Sequence, residues 1–226
     1  ANNTLNLNIT GSTFLIDNGV LYPNNVITVL NNTYGTGDSG VINVDINNSE
    51  LTNANTTSGN DGIYLNNTLN GVMNVNIWNT TVSDFPQNGL EIGNGEYPNL
   101  GETPPSDNTG TTTVNIANST FNGDGVADKD SFGYAVSVWN NDAGSLSLTM
   151  INSTITNLAP GSYAGLSVQN YGSGTLTVDN LSGTTITNPG GIGIFGQGSS
   201  TGTTTINYSG TNIYADPAIY NTGYVN

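Results

Sequence analysis

The side chains in this sequence that could do chemistry are carboxylates, amides and hydroxyls. Histidine, cysteine and arginine are absent, and Lys129 is the single base against 16 acids, giving a net charge of −15. Zinc centres, thiol catalysis, Ser-His-Asp triads and arginine clamps on phosphate or carboxylate are therefore excluded. A nucleic-acid partner is excluded as well, because it demands a basic footprint. Carboxylates concentrate in one candidate metal loop, Asn122-Gly123-Asp124-Gly125-Val126-Ala127-Asp128-Lys129-Asp130. Calcium takes roughly six to eight oxygens, which Asp and Asn side chains around a Gly turn can supply, so Asn122, Asp124, Asp128 and Asp130 are the candidate ligands. Thr120 and Ser131 stand where two further acidic ligands belong, so a solvated loop is the competing expectation, and no other cofactor is expected.

Amides are the most numerous of these groups. The chain has 39 Asn beside 30 Gly, and charged residues are only 8% of it. Hydration therefore falls to uncharged hydrogen-bonding side chains. What positions them is a repeat. Leu7-Asn8-Ile9, Val44-Asp45-Ile46, Val75-Asn76-Ile77, Val114-Asn115-Ile116, Leu148-Thr149-Met150, Val178-Asp179-Asn180 and Ile206-Asn207-Tyr208 stack as one column, at spacings of 37, 31, 39, 34, 30 and 28 residues. Seven residues after the first member comes a second apolar side chain: Phe14, Leu51, Val82, Phe121, Ile155 and Ile213, with Ile186 one residue late. A polar pair such as Ser119-Thr120 precedes it each time. A third column reads Ile27-Thr28-Val29, Ile63-Tyr64-Leu65, Leu90-Glu91-Ile92, Val136-Ser137-Val138, Leu166-Ser167-Val168 and Ile192-Gly193-Ile194, with a degenerate seventh around Ile219.

Each run alternates apolar and polar residues, the period of a half-buried strand. Units of this size cannot bury their apolar faces alone, but stacked they share a continuous core. The expected fold is all-β: a right-handed parallel β-helix of about seven three-strand coils, rising roughly 34 Å at ~4.8 Å per rung. A β-sandwich also has short strands and turns, but it does not require one polar pair at one place in every unit. A single domain over 1–226 is expected, as a fragment of a longer chain. The variable spacing places loop insertions at 93–110 and 122–131, and no apolar run is long enough to span a membrane as a helix.

Within this frame the outward middle residues Asn8, Asp45, Asn76, Asn115, Thr149, Asp179 and Asn207 form a flat polar face suited to a sugar, a water lattice or an equivalent face on a second molecule. The competing expectation is that they ladder with one another, as amide stacks do in cross-β packing. Corner residues Asn48, Asn79, Asn118 and Asn152 suit a tight left-handed turn. Trp78, Tyr97 and Trp139 are the candidate aromatic contacts, Trp139 being expected to point outwards from the third strand, with a covering loop as the competing expectation for each tryptophan. Catalysis by a carboxylate pair needs a partner at a defined separation. No strand column puts two acids on adjacent rungs, leaving only loop acids such as Glu96 and Glu102.

The phrases TTTVNIANSTF (111–121), SLSLTMINSTITN (145–157) and TTTINYSGTNIY (203–214), in a Cys-free Asn/Thr/Gly-rich chain, resemble the passenger of a bacterial autotransporter adhesin of the AIDA/pertactin type. That resemblance implies export by a C-terminal outer-membrane β-barrel that this chain does not include. It also implies a bacterial cell-surface or secreted location, and roles in adhesion, aggregation, biofilm and virulence. Partners implied are a host glycan or extracellular-matrix protein, or another copy of the chain. A β-helical polysaccharide-processing enzyme and an inert structural stalk are the alternatives; an ice-binding face ranks below them, because the columns mix Asn, Asp and Thr.

Overall fold

A computed structural model of the protein describes residues 3–16, 25–31, 40–53, 61–68, 70–85, 87–95, 109–123, 133–141, 143–157, 163–223 and 225. Strands make up its regular structure, in three sheets of seven strands each. The first sheet runs β1 (Thr4–Thr10), β4 (Val41–Asn47), β7 (Val72–Trp78), β10 (Thr111–Ala117), β13 (Ser145–Ile151), β16 (Thr175–Asn180) and β19 (Thr203–Ile206). The second runs β2 (Thr13–Ile16), β5 (Glu50–Asn53), β8 (Thr81–Phe85), β11 (Thr120–Gly123), β14 (Thr154–Asn157), β17 (Thr185–Asn188) and β20 (Asn212–Ala215). The third runs β3 (Ile27–Asn31), β6 (Ile63–Asn67), β9 (Asn88–Asn94), β12 (Tyr134–Asn140), β15 (Ala164–Asn170), β18 (Ile192–Gly198) and β21 (Ile219–Gly223). Each strand pairs in parallel with its counterparts one coil away. This is a right-handed parallel β-helix of seven coils, as the repeat requires.

Side-chain alternation explains the packing. In the first sheet Val44, Val75, Val114, Leu148 and Val178 stack in register and are fully buried. Leu51, Val82, Phe121, Ile155 and Ile186 do so in the second sheet, and Ile63, Leu90, Val136 and Leu166 in the third. Fully burying each such side chain contributes about 1.5–3 kcal/mol. Parallel neighbours one coil apart make the columns continuous, so no coil has a core of its own.

The corner between first and second strands is set by one left-handed residue per coil: Gly11, Asn48, Asn79, Asn118, Asn152, Gly183 and Gly210, with φ of 59°, 50°, 49°, 50°, 49°, 70° and 75°. At these seven corners only Gly and Asn are used, in a region that costs most other L residues about 1–2 kcal/mol. The next residue turns a hydroxyl inwards. Ser49, Ser119 and Ser153 donate to the carbonyls of Asn47, Ala117 and Ile151. Their hydroxyls also accept the backbone N–H of Ser12, Thr80 and Ser119 on the preceding coil.

Two registers differ from the sequence expectation. In the sixth coil Ile194 pairs with Leu166, and Ile192 with Ala164, so the third column is displaced by two residues from Ile192-Gly193-Ile194. The late Ile186 is explained by an irregularity where Thr149 pairs with Asn180. It absorbs one extra residue before the corner, and Ile186 still pairs with Ile155. The seventh third strand forms fully as β21, Ile219 pairing with Ile194.

Candidate functional site

The expected polar face lies on the outside of the first sheet. Asn8, Asp45, Asn76, Asn115 and Thr149 follow one another in register over five coils. Asn8, Asp45 and Asn115 are exposed, Asn76 and Thr149 half-buried. The column then breaks. The irregularity after Leu148 sets Asp179 out of line with Thr149, and Asp179 instead accepts the Ser147 hydroxyl at 2.5 Å. Asn207 lies one residue beyond β19 and donates from its amide to the Asp179 carbonyl at 3.2 Å. The site is thus a five-coil column with an irregular end.

The side chains of this face ladder. Asn76 donates to Asp45 at 2.9 Å and Asn115 to Asn76 at 3.2 Å. A second ladder runs beside it, Asn43 donating to Asn6 at 2.7 Å and Asn74 to Asn43 at 2.9 Å. The two are two residues apart along the strands, so amides form a grid of about 4.8 by 6.6 Å. Laddering leaves each interior Asn one N–H and one lone pair for a ligand. Trp78 stands two residues beyond Asn76 on the same outward side and is 50% exposed. An indole beside a planar amide grid can stack on a sugar face or anchor a protein contact.

Trp139 points outwards as expected but is not available as a contact. It leaves the third sheet on the outer side, but it is only 2% exposed. Its ring lies over Gly93 of the neighbouring strand, where any added Cβ would collide with it. Its Nε1 donates to Glu91 at 3.0 Å. The outer face of the third sheet is withdrawn from solvent here, with Glu91, Ser137, Ser167 and Phe195 all buried. Tyr163 packs edge-on against Tyr134 and Phe195 at 6.0 and 5.2 Å.

No strand column pairs two acids, Glu91 lying between Tyr64 and Ser137, yet two carboxylates other than the loop acids meet. Asp61, in the residue before β6 by two, aligns with Asn88 through the Ile63–Leu90 register. The Asn88 amide donates to Asp61 at 2.8 Å and to Glu91 at 2.7 Å. Acids from neighbouring coils are thus brought together diagonally, across columns rather than along one. Burial, then the charge of Glu91, pushes the Asp61 carboxyl up to about 8, and burial raises Glu91 against the lowering effect of its Trp139 and Asn88 bonds.

An inner amide column was missed altogether. Asn31, Asn67, Asn94, Asn140 and Asn170 end the third strands, are 5% exposed or less, and bond in series at 2.9, 3.0, 2.8 and 3.1 Å. Each also donates to a glycine carbonyl, those of Gly40, Gly71, Gly110, Gly144 and Gly174. The signal was present: each Asn stands four residues after the first member of its third-column triplet, Ile27, Ile63, Leu90, Val136 or Leu166.

Tyr97, Asp124, Asp128 and Asp130, with Glu96, Glu102 and Lys129, lie outside the described residues, so the candidate calcium loop is represented only by the half-buried Asn122. Among the described residues no group of three or more acids gathers to hold a metal, and no helix is long and apolar enough to cross a membrane. Fold and face together define a polar β-solenoid with an amide-laddered flank. Compared with protein-family models, curated proteins and solved structures, the chain matches none.

Proposed function

We propose that the chain is the binding shaft of a cell-surface adhesin of the autotransporter-passenger kind. It engages its partner through the outer face of the first sheet: a host glycan or matrix protein, or the same face of a second copy. The observation that carries this reading is the pair of amide ladders with the exposed indole of Trp78 beside them. Such a face offers many weak uncharged contacts in a fixed grid, so affinity comes from many coils and many molecules engaged together. The net charge of −15 disfavours long-range attraction to sulfated glycans, leaving short-range hydrogen bonding and stacking.

The test is binding of the full chain to a glycan and matrix-protein array, beside sedimentation of the chain alone. Trp78→Ala should lower whichever signal the wild type gives by about tenfold, the scale of a contact residue worth more than ~1 kcal/mol. An unchanged signal would remove this face from the reading.

A glycan-processing reading has one observation in its favour, the Asp61–Glu91 pair. Both acids are nearly inaccessible, at 5% and 7% exposure, which leaves no room for a sugar ring between them. Release of oligosaccharides from a polysaccharide panel, abolished by Asp61→Asn, would establish it instead.

A further inference from the structure

Two buried carboxyls with no adhesive role remain unexplained. Asp61 belongs to the second coil, Asn88 and Glu91 to the third, and Trp139 to the fourth. One amide nitrogen serves both acids, so their oxygens are no more than about 5.5 Å apart. The orientation of that amide is fixed, because Asn88 Oδ1 accepts the backbone N–H of Tyr134 at 3.2 Å. Its nitrogen therefore faces the acids. Glu91 receives a donor on each oxygen, Asn88 Nδ2 on Oε2 and Trp139 Nε1 on Oε1. Asp61 receives the Asn88 side-chain amide on Oδ1 and, at its carboxyl, the backbone N–H groups of Asn88 and of Asp61 itself; Asn25 Oδ1 also accepts the Asp61 N–H at 3.0 Å.

The surroundings hold no compensating cation among the described residues. From β6, Tyr64 lies opposite Glu91, and from β12, Tyr134 lies opposite Asn88. β3 carries no titratable side chain; β8, which packs against β9, contributes Asp84, and β11 contributes none. Two adjacent anions in a dry site cannot both persist without cost.

We propose that Asp61, Asn88, Glu91 and Trp139 form a proton-operated fastener across the outside of the third sheet. It is closed while the two carboxyls hold one proton between them and open once both are ionised. That one proton belongs to the Asp61–Glu91 pair as a unit, because burial raises both carboxyls. When that proton leaves, the anions repel, the Asn88 bridge yields, and the Trp139 indole loses its cover over Gly93. The tie across the second, third and fourth coils then loosens while the inner core stays folded. This device does not depend on the adhesive reading of the first sheet.

The test uses the full chain with Trp78→Phe, so that Trp139 is the only indole. Its emission and acrylamide quenching are followed from about pH 5 to 9.5, below general tyrosine ionisation. The expected result is a buried indole on the acid side, then a red shift and roughly threefold stronger quenching, with a midpoint near the Asp61 value of about 8. Asp61→Asn and, separately, Glu91→Gln should abolish the transition and keep Trp139 buried throughout. Should those variants fail to fold, carboxyl-carbon NMR of the unaltered chain should show one carboxyl titrating above pH 7. The fastener is refuted if quenching is flat across the range, if the transition survives in both variants at the same midpoint, or if every carboxyl titrates below pH 6.

Discussion

Asn94 sits at the middle of the inner amide column, and its replacement by alanine separates what holds the solenoid from what decorates it. Its side chain accepts from Asn67 at 3.0 Å and Thr112 at 2.9 Å, and donates to Asn140 at 2.8 Å and Gly110 at 3.2 Å, with 0% exposure. After Asn94→Ala, Asn67 keeps its bonds to the Gly71 and Thr111 carbonyls, and Gly110 keeps the Ser145 N–H. The Thr112 hydroxyl and the Asn140 carbonyl oxygen are left in a dry interior. Each stranded polar group costs about 1–3 kcal/mol, so the expected loss is about 4 kcal/mol. Asn170→Ala should cost less, about 1–2 kcal/mol, because Asn140 retains the Gly144 carbonyl. Asn76→Ala in the outer ladder should cost under about 1 kcal/mol, since water replaces both partners. Urea unfolding, fitted with coil-by-coil coupling as a solenoid requires, measures the series. Equal losses at Asn94 and Asn76, or a loss at Asn94 below about 1 kcal/mol, would refute the distinction between inner and outer amides.

Four further outcomes are expected. Asn118→Gly should leave stability within about 0.5 kcal/mol, whereas Asn118→Val should cost about 1–2 kcal/mol, because φ at this corner is 50°; thermal melts compare them. Gly93→Ala should displace the Trp139 ring and shift its emission to the red while far-ultraviolet circular dichroism stays unchanged. The folded chain holds a proton on Asp61 that the unfolded chain releases near 3.8. Stability should therefore fall as pH rises between about 4 and 8, with Glu91, also raised by burial, adding to the slope; Asp61→Asn should reduce that slope and stabilise the neutral-pH chain by on the order of 1–3 kcal/mol, and urea midpoints across pH read both. Association between copies should strengthen as pH falls towards 4, because the net charge of −15 is then titrated away, and sedimentation velocity at several pH values measures it.

The columns that stack in register were legible because period-two alternation and a fixed seven-residue offset survive loops of any length. The corner residues were legible for a local reason: φ near 50–75° favours Gly and Asn over almost every other residue. Other features depend on neighbours one coil away. Asn67 and Asn140 flank Asn94 at sequence separations of 27 and 46 residues. In a chain with 39 Asn the expectation that amides face water hid them. The Asp61–Glu91 pair is invisible along any one column, because Asn88 joins the two acids on a diagonal. Trp139 was placed on the correct side of its strand, but alternation carries no information about what covers an outer face.

An interaction surface on the outer face of the first sheet should not survive the introduction of charge along its ladders. Its most direct test is the full chain displayed on cells with Asn43, Asn76 and Asn115 changed to Lys, against a control with Thr154 and Thr185 on the outer side of the second sheet changed to Lys. Cell aggregation and array binding are read for both. The first set should abolish whichever activity the wild type shows, while the control retains it with the same circular dichroism. Retention of activity in the first set, or equal loss in both, would contradict that surface assignment.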